Sequence, residues 1–163
     1  MILEPLGLAF PQVAGLITTL RERGESVATA ESLTAGLVAA ALTEVPGASA
    51  VVRGGLVVYA TDLKERLAGV DPELLAEHGA VHPDVAAQLA VGASRRCEAD
   101  WGIGLTGVAG PDPQDGVAPG TVHLGFSGPQ GAQVQTEVLD GDRHAVRAAA
   151  VRVALEHFAT LLR

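Results

Sequence analysis

Val27-Ala28-Thr29-Ala30-Glu31-Ser32-Leu33-Thr34-Ala35-Gly36-Leu37-Val38-Ala39-Ala40-Ala41-Leu42 passes from small apolar residues, through a short polar segment, into an alanine-rich run. Ser26 to Ala30 reads as a short buried strand and Thr34 to Thr43 as a helix, since alanine favours helix and permits close packing. The stretch is a β–α junction. Its polar corner has two readings: Ser32 or Thr34 is a helix N-cap, or one of them presents a reactive hydroxyl.

Working outward, Pro11 suits a first helical turn. Val13, Leu16, Ile17 and Leu20 recur at helical spacing, and Gly24 stands where a C-terminal cap belongs. After Pro46-Gly47, the run Ala50 to Tyr59 reads as a strand in which Gly54-Gly55 allows a bulge or a close approach. Thr61-Asp62 is expected to cap a short helix carrying Lys64, and Asp71-Pro72 to start another. His82-Pro83-Asp84 opens a longer helix with Val85, Leu89 and Gly92/Ala93 on its buried face. Trp101 to Thr106 is the next strand. It runs into a Gly/Pro/Asp-rich loop over 107–116, and Thr121 to Ser127 and Gln133 to Leu139 form a hairpin through Gly128-Pro129-Gln130-Gly131. Gly141-Asp142 introduces a final amphipathic helix. Early β–α alternation followed by a hairpin predicts a single-domain three-layer α/β/α sandwich over 1–163, with a mixed sheet.

A net charge of −8 with no Lys/Arg cluster argues against nucleic acid as a partner. Apolar windows are broken before the roughly 18 residues a membrane span needs, so no membrane partner is expected. The single cysteine, Cys97, forms no intrachain disulfide, and no basic leader precedes the first apolar stretch. The expected location is cytoplasmic.

In an open α/β sheet, ligands gather where strand C-termini meet helix N-termini. Glu31-Ser32-Leu33-Thr34, Tyr59 with Lys64, and Thr106-Gly107-Val108-Ala109-Gly110-Pro111 all fall at such ends. A serine nucleophile needs a base. His78, His82, His123, His144 and His157 lie in predicted helices, turns or a strand centre, so no Ser-His-Asp set is expected. Gly79 and Pro83 interrupt the helix that a His78/His82 metal pair requires, and no metal or cofactor is expected. Lys64 is the better base, because a partly desolvated lysine falls from about 10.4 towards neutrality. The 107–116 loop lacks the Gly-Lys-Ser/Thr ending of a P-loop and the spacing of a dinucleotide fingerprint. It still offers backbone N–H groups to a phosphate, with the Thr106 hydroxyl and positive charge from Arg143 and Arg147.

Glu31-Ser32-Leu33-Thr34-Ala35-Gly36, Tyr59-Ala60-Thr61-Asp62-Leu63-Lys64, Glu77-His78-Gly79-Ala80-Val81, Thr106 to Pro111, Pro119-Gly120-Thr121-Val122 and Gly141-Asp142-Arg143 resemble, in order, the motifs of the CinA C-terminal domain family. The resemblance runs from Leu8 nearly to the end of the chain. It implies hydrolysis of nicotinamide mononucleotide to nicotinic acid mononucleotide and ammonia, a step of pyridine-nucleotide recycling, by a homo-oligomer. Some relatives add an N-terminal domain related to molybdopterin-binding proteins, for which this chain is too short.

Carried over by this resemblance, Ser32, Lys64 and Tyr59 are the catalytic residues, and Glu31, Thr34, Gly36, Thr106, Gly107, Gly110 and Arg143 bind substrate. Ser32 attacks the carboxamide, Lys64 shuttles the proton, and Tyr59 orients the pair or donates to it. N–H groups at the start of the 34–43 helix hold the oxyanion. Thr106, the loop and Arg143 hold the phosphate or ribose, and Glu31 faces the pyridinium or satisfies local N–H groups. Ala35 stands where the family usually has glycine, bringing a methyl group to an expected close-approach position. Ala60-Thr61 replaces Ser-Asn, and Val117-Ala118 lacks the usual loop lysine. The alternative that stays open is a non-catalytic nucleotide-binding or partner-binding module of the same fold.

Overall fold

The computed structural model describes residues 1–163. Helix α1 (Phe10–Arg23) leads into strand β1 (Val27–Glu31), then helix α2 (Leu37–Thr43) and strand β2 (Val52–Val57). Helices α3 (Thr61–Ala68), α4 (Pro72–His78) and α5 (Pro83–Cys97) follow. Strands β3 (Trp101–Gly107), β4 (Thr121–Gly128) and β5 (Gly131–Val138) come next, and helix α6 (Arg143–Leu161) ends the chain.

The sheet order is β2-β1-β3-β4-β5. β1 lies between β2 and β3 and is parallel to both, while β4 and β5 are antiparallel additions. This is the expected α/β/α sandwich with a mixed sheet and a C-terminal hairpin.

Alternation along the strands sorts the core into two layers. Val27, Ile103, Leu105, Val122, Leu124 and Phe126 meet α1, α2 and α6. Fully burying a side chain such as Leu155 or Phe158 of α6 contributes about 1.5–3 kcal/mol. Ala28 and Ala30 face the other way, with Val85, Leu89 and Ala93 of α5 and Val58, Ala68 and Leu75.

On that second side the strands carry glycine where α5 lies. A Cβ on Gly102 would sit 1.9 Å from Ala90 O, and one on Gly125 would sit 2.0 Å from Ala86 O. Only bare backbone lets α5 lie this close to the sheet. The predicted buried face of α5 is observed, with Val85, Leu89, Gly92 and Ala93 all buried.

The expected irregularity near Gly54-Gly55 takes both forms. The β1–β2 register shifts between Val27 and Ala28, and a Cβ on Gly55 would lie 2.6 Å from Thr29 Oγ1. Asp71, His82 and Asp142 cap α4, α5 and α6 by accepting from Glu73 N, Asp84 N and Ala145 N. The Thr61-Asp62 cap is corrected: Ala60 occupies the N-cap position without a side-chain bond, and Asp62 pairs instead with Arg66 at 3.5 Å. No helix is long and apolar enough to cross a membrane.

Two further boundaries differ in ways that build the site. The helix expected from Thr34 begins at Leu37, because Ala35 (φ 49°) and Gly36 (φ 96°) adopt left-handed conformations that turn the chain before α2. The strand expected to reach Tyr59 leaves the sheet after Val57, which frees the carbonyls of Val58 and Tyr59 for another donor.

Candidate active site

Strands β1, β2 and β3 end on the same side of the sheet. Beyond those ends lies a cavity of about 320 Å³ that takes in Ser32, Tyr59, Thr106, Gly107, Gly110 and Arg143. This is where an open α/β sheet holds ligands. Ala80, Val81, Asp112 and Gln114 also border it. Sequence reasoning did not assign these four residues, and none carries a local signal that separates it from ordinary loop chemistry.

Ser32 borders the cavity, and buried Lys64 is hydrogen-bonded to its hydroxyl. Lys64 enters from the first turns of α3 and is 1 % exposed. Its Nζ donates to Ser32 Oγ at 3.1 Å, to Val58 O at 2.8 Å and to Tyr59 O at 3.2 Å. No carboxylate pairs with it, so burial alone lowers its pKa from 10.5 to about 8. A neutral amine has two N–H groups and one lone pair. With the two carbonyls taking the N–H groups, the lone pair is left for the Ser32 hydroxyl proton. The geometry suits a nucleophile and its base.

Tyr59 is 59 % exposed, and its hydroxyl accepts from Arg143 Nη2 at 3.0 Å. The expectation that its phenol orients the Ser32–Lys64 pair is corrected: only its backbone carbonyl touches Lys64. Arg143 also donates from Nη1 to Gly110 O at 2.9 Å, which ties α6 to the glycine-rich loop. Thr106 is buried and donates to Ala80 O at 2.7 Å, so only its lone pairs remain for a ligand. Gly107 has a packing reason as well, since a Cβ there would lie 2.7 Å from Thr121 O.

The side chains of Glu31 and Thr34, and Gly36, do not border the cavity, and of the two roles expected for Glu31 the structure shows the satisfying of local N–H groups. The Glu31 side chain is fully buried. It accepts from Thr29 Oγ1 (3.0 Å), Thr34 Oγ1 (2.7 Å), Gly36 N (3.0 Å), Val38 N (3.1 Å) and Ala39 N (2.9 Å). Glu31 is thus the cap of α2, a negative charge at the positive end of a helix dipole. Thr34, expected to be a cap, is instead a donor to that carboxylate. The first amides of α2 are already occupied and do not serve an oxyanion.

Two other amides are free. Neither Leu33 N nor Thr34 N donates to any protein acceptor, although Ser32 N, Ala35 N and Leu37 N on either side are all bonded. Thr34 is fully buried. Orphaned N–H groups in such a place are rare. They directly follow the candidate nucleophile, where developing negative charge on a carbonyl oxygen would need donors. The Ala35 methyl is exposed and does not enter the cavity, so the expected intrusion is corrected too.

Arg147, grouped with Arg143 as a source of positive charge, lies outside the cavity and donates through Nε to Leu33 O at 2.8 Å. No cluster of His, Cys, Asp or Glu has the geometry to hold a metal ion. His78 and His82 stack, with ring centroids 4.4 Å apart.

The CinA C-terminal domain profile matches residues 11–162. A CinA-like protein of Anaeromyxobacter sp. (strain K) is 49 % identical over 91 % of this chain and 36 % of its own length. One from Frankia casuarinae is 47 % identical over 88 % and 33 %. The chain therefore spans about a third of the length of these curated relatives. Among solved structures, the competence/damage inducible protein CihA of Agrobacterium tumefaciens has a TM-score of 0.89 and is 38 % identical, with 94 % of each chain covered. A CinA superfamily protein of Escherichia coli has a TM-score of 0.89 and 31 % identity, covering 94 % of this chain and 93 % of its own.

Proposed function

This chain belongs to the CinA C-terminal domain family, and from that premise we propose that it is an amide hydrolase whose substrate is nicotinamide mononucleotide. One observation carries the reading: a buried lysine amine without a carboxylate partner lies 3.1 Å from the hydroxyl of a serine that borders a cavity.

The reaction runs in two halves. The neutral Lys64 amine takes the Ser32 proton as Oγ attacks the carboxamide carbon, and the new oxyanion is held by Leu33 N–H and Thr34 N–H. As the C–N bond breaks, Lys64 returns the proton to the departing nitrogen, which leaves as ammonia. Water then attacks the Ser32 ester, losing its proton to Lys64. Collapse of this second intermediate breaks the ester bond and returns the proton to Ser32 Oγ, releasing nicotinic acid mononucleotide. No metal or cofactor is needed to balance these steps.

Arg143 and the amides of Ala109 and Gly110, which donate to no protein acceptor, are the proposed phosphate contacts. The purified protein is incubated with nicotinamide mononucleotide and ammonia is measured. Ammonia with matching nicotinic acid mononucleotide supports the hydrolase; binding without release means a non-catalytic module.

A further inference from the structure

The two free amides beside Ser32 lie on peptide planes that are anchored differently. Leu33 N–H shares its plane with the Ser32 carbonyl, which accepts from Ala35 N at 3.1 Å within the turn itself. Thr34 N–H shares its plane with the Leu33 carbonyl. That oxygen accepts no backbone donor; its bond comes from Arg147 Nε at 2.8 Å, across 114 positions of sequence. A peptide group is planar and trans, so fixing its oxygen fixes the direction of its N–H. A cationic donor on the carbonyl also polarises the group and strengthens the N–H at the other side of the plane.

Arg147 makes no ion pair and no other hydrogen bond, and it does not border the cavity. It is half-buried on α6, one turn after Arg143, whose guanidinium does border it. The two arginines therefore divide the work of one helix face, Arg143 on the cavity wall and Arg147 behind the turn.

Resting on the amide-hydrolase reading, we propose that Arg147 is a positioning residue for that reaction, aiming the Thr34 amide at the oxyanion formed on Ser32 attack. It touches neither substrate nor nucleophile. Its effect falls on the transition state, which needs the aimed donor, and not on the ground-state complex.

The test is steady-state ammonia release from nicotinamide mononucleotide by the wild type, Arg147→Met, which keeps most of the stem, and Arg147→Lys, which keeps stem and charge. Thermal melting is run on each. The expected result is a kcat about 10- to 100-fold lower in Arg147→Met and a smaller loss in Arg147→Lys, with KM within about twofold, as for a misaimed contact remote from the chemistry. The pH midpoint of activity stays where Lys64 sets it, which a general loosening of the site would not preserve. An active wild type with unchanged kcat in a folded variant, or with the loss falling on KM, overturns the proposal alone. A wild type that releases no ammonia overturns the hydrolase reading and this inference together. Should Arg147→Met melt more than a few degrees lower, Arg147→Lys is read in its place: its smaller kcat loss at unchanged KM supports the proposal, and an unchanged kcat overturns it.

Discussion

Lys64 Nζ stands 3.1 Å from Ser32 Oγ, while the backbone carbonyls of Val58 and Tyr59 hold it from the other side. All three partners are neutral, so nothing in contact with the amine offsets the cost of burying its charge. That imbalance has consequences for both activity and stability.

The first concerns the pH profile. Only the neutral amine takes the Ser32 proton, and with a pKa of about 8 roughly one Lys64 in ten is neutral at pH 7. kcat/KM should rise about tenfold between pH 7 and 9 and level off above that. A profile already flat across this range would show that Lys64 is not the group whose deprotonation limits the reaction.

The second concerns Lys64→Met. In the unfolded chain the lysine titrates near its ordinary 10.5, and in the folded protein at about 8. The unfolded state therefore binds more protons between these values, and wild-type stability rises with pH across that window. Below pH 8 the buried charge costs about 3 kcal/mol, a penalty that methionine does not carry. Lys64→Met should lose turnover yet melt at least as high as wild type at pH 7, with its advantage shrinking towards pH 10. Melting curves at both pH values decide it; an equal gap at each contradicts the burial argument.

Glu31→Gln gives the opposite signature. Glu31 Oε1 accepts from Thr29 Oγ1 and Ala39 N, and Oε2 from Thr34 Oγ1, Gly36 N and Val38 N. Whichever oxygen becomes NH₂ then faces buried donors, at a cost of about 2–4 kcal/mol. Urea unfolding should report this loss, and turnover should fall with it because the same turn carries the Leu33 and Thr34 amides.

Ala35 holds φ 49° in an exposed turn. Ala35→Gly relieves left-handed strain and should raise stability by about 0.5–1 kcal/mol, with KM unchanged because the methyl group does not reach the cavity. A fall in KM would instead mean that the methyl group does obstruct substrate.

Much of this was legible in the sequence. Hydrophobic spacing, alanine content and helix-start residues together located all six helices, and Gly128 to Gly131 located the hairpin. Ordered motifs named Ser32, Lys64 and Arg143, and the structure brings Ser32 and Lys64 into contact and places Arg143 at the cavity edge. What stayed hidden depends on geometry across distant segments. Glu31 has the chemistry of a ligand-facing carboxylate, and only the turn at Ala35-Gly36 brings the α2 amides back onto it. The bond from Arg147 to Leu33 spans too much sequence for any local pattern to signal it. Tyr59 stands close to Lys64 in sequence, but the chain has already left the sheet after Val57 and the phenol meets Arg143. The glycines of β3 and β4 that seat α5 had a readable trace, glycine at alternate positions 102 and 104, whose meaning depends on which helix lies above.

The central claim is that Ser32 is the nucleophile of a nicotinamide mononucleotide amidase. Ammonia release from that substrate should be compared for wild type and Ser32→Ala, with melting temperatures recorded alongside. The account predicts steady release by the wild type and a loss of at least about a thousandfold in Ser32→Ala, the scale on which removing a nucleophile acts, with the melting temperature unchanged. Equal release by a folded Ser32→Ala protein, or none by the wild type, would contradict it.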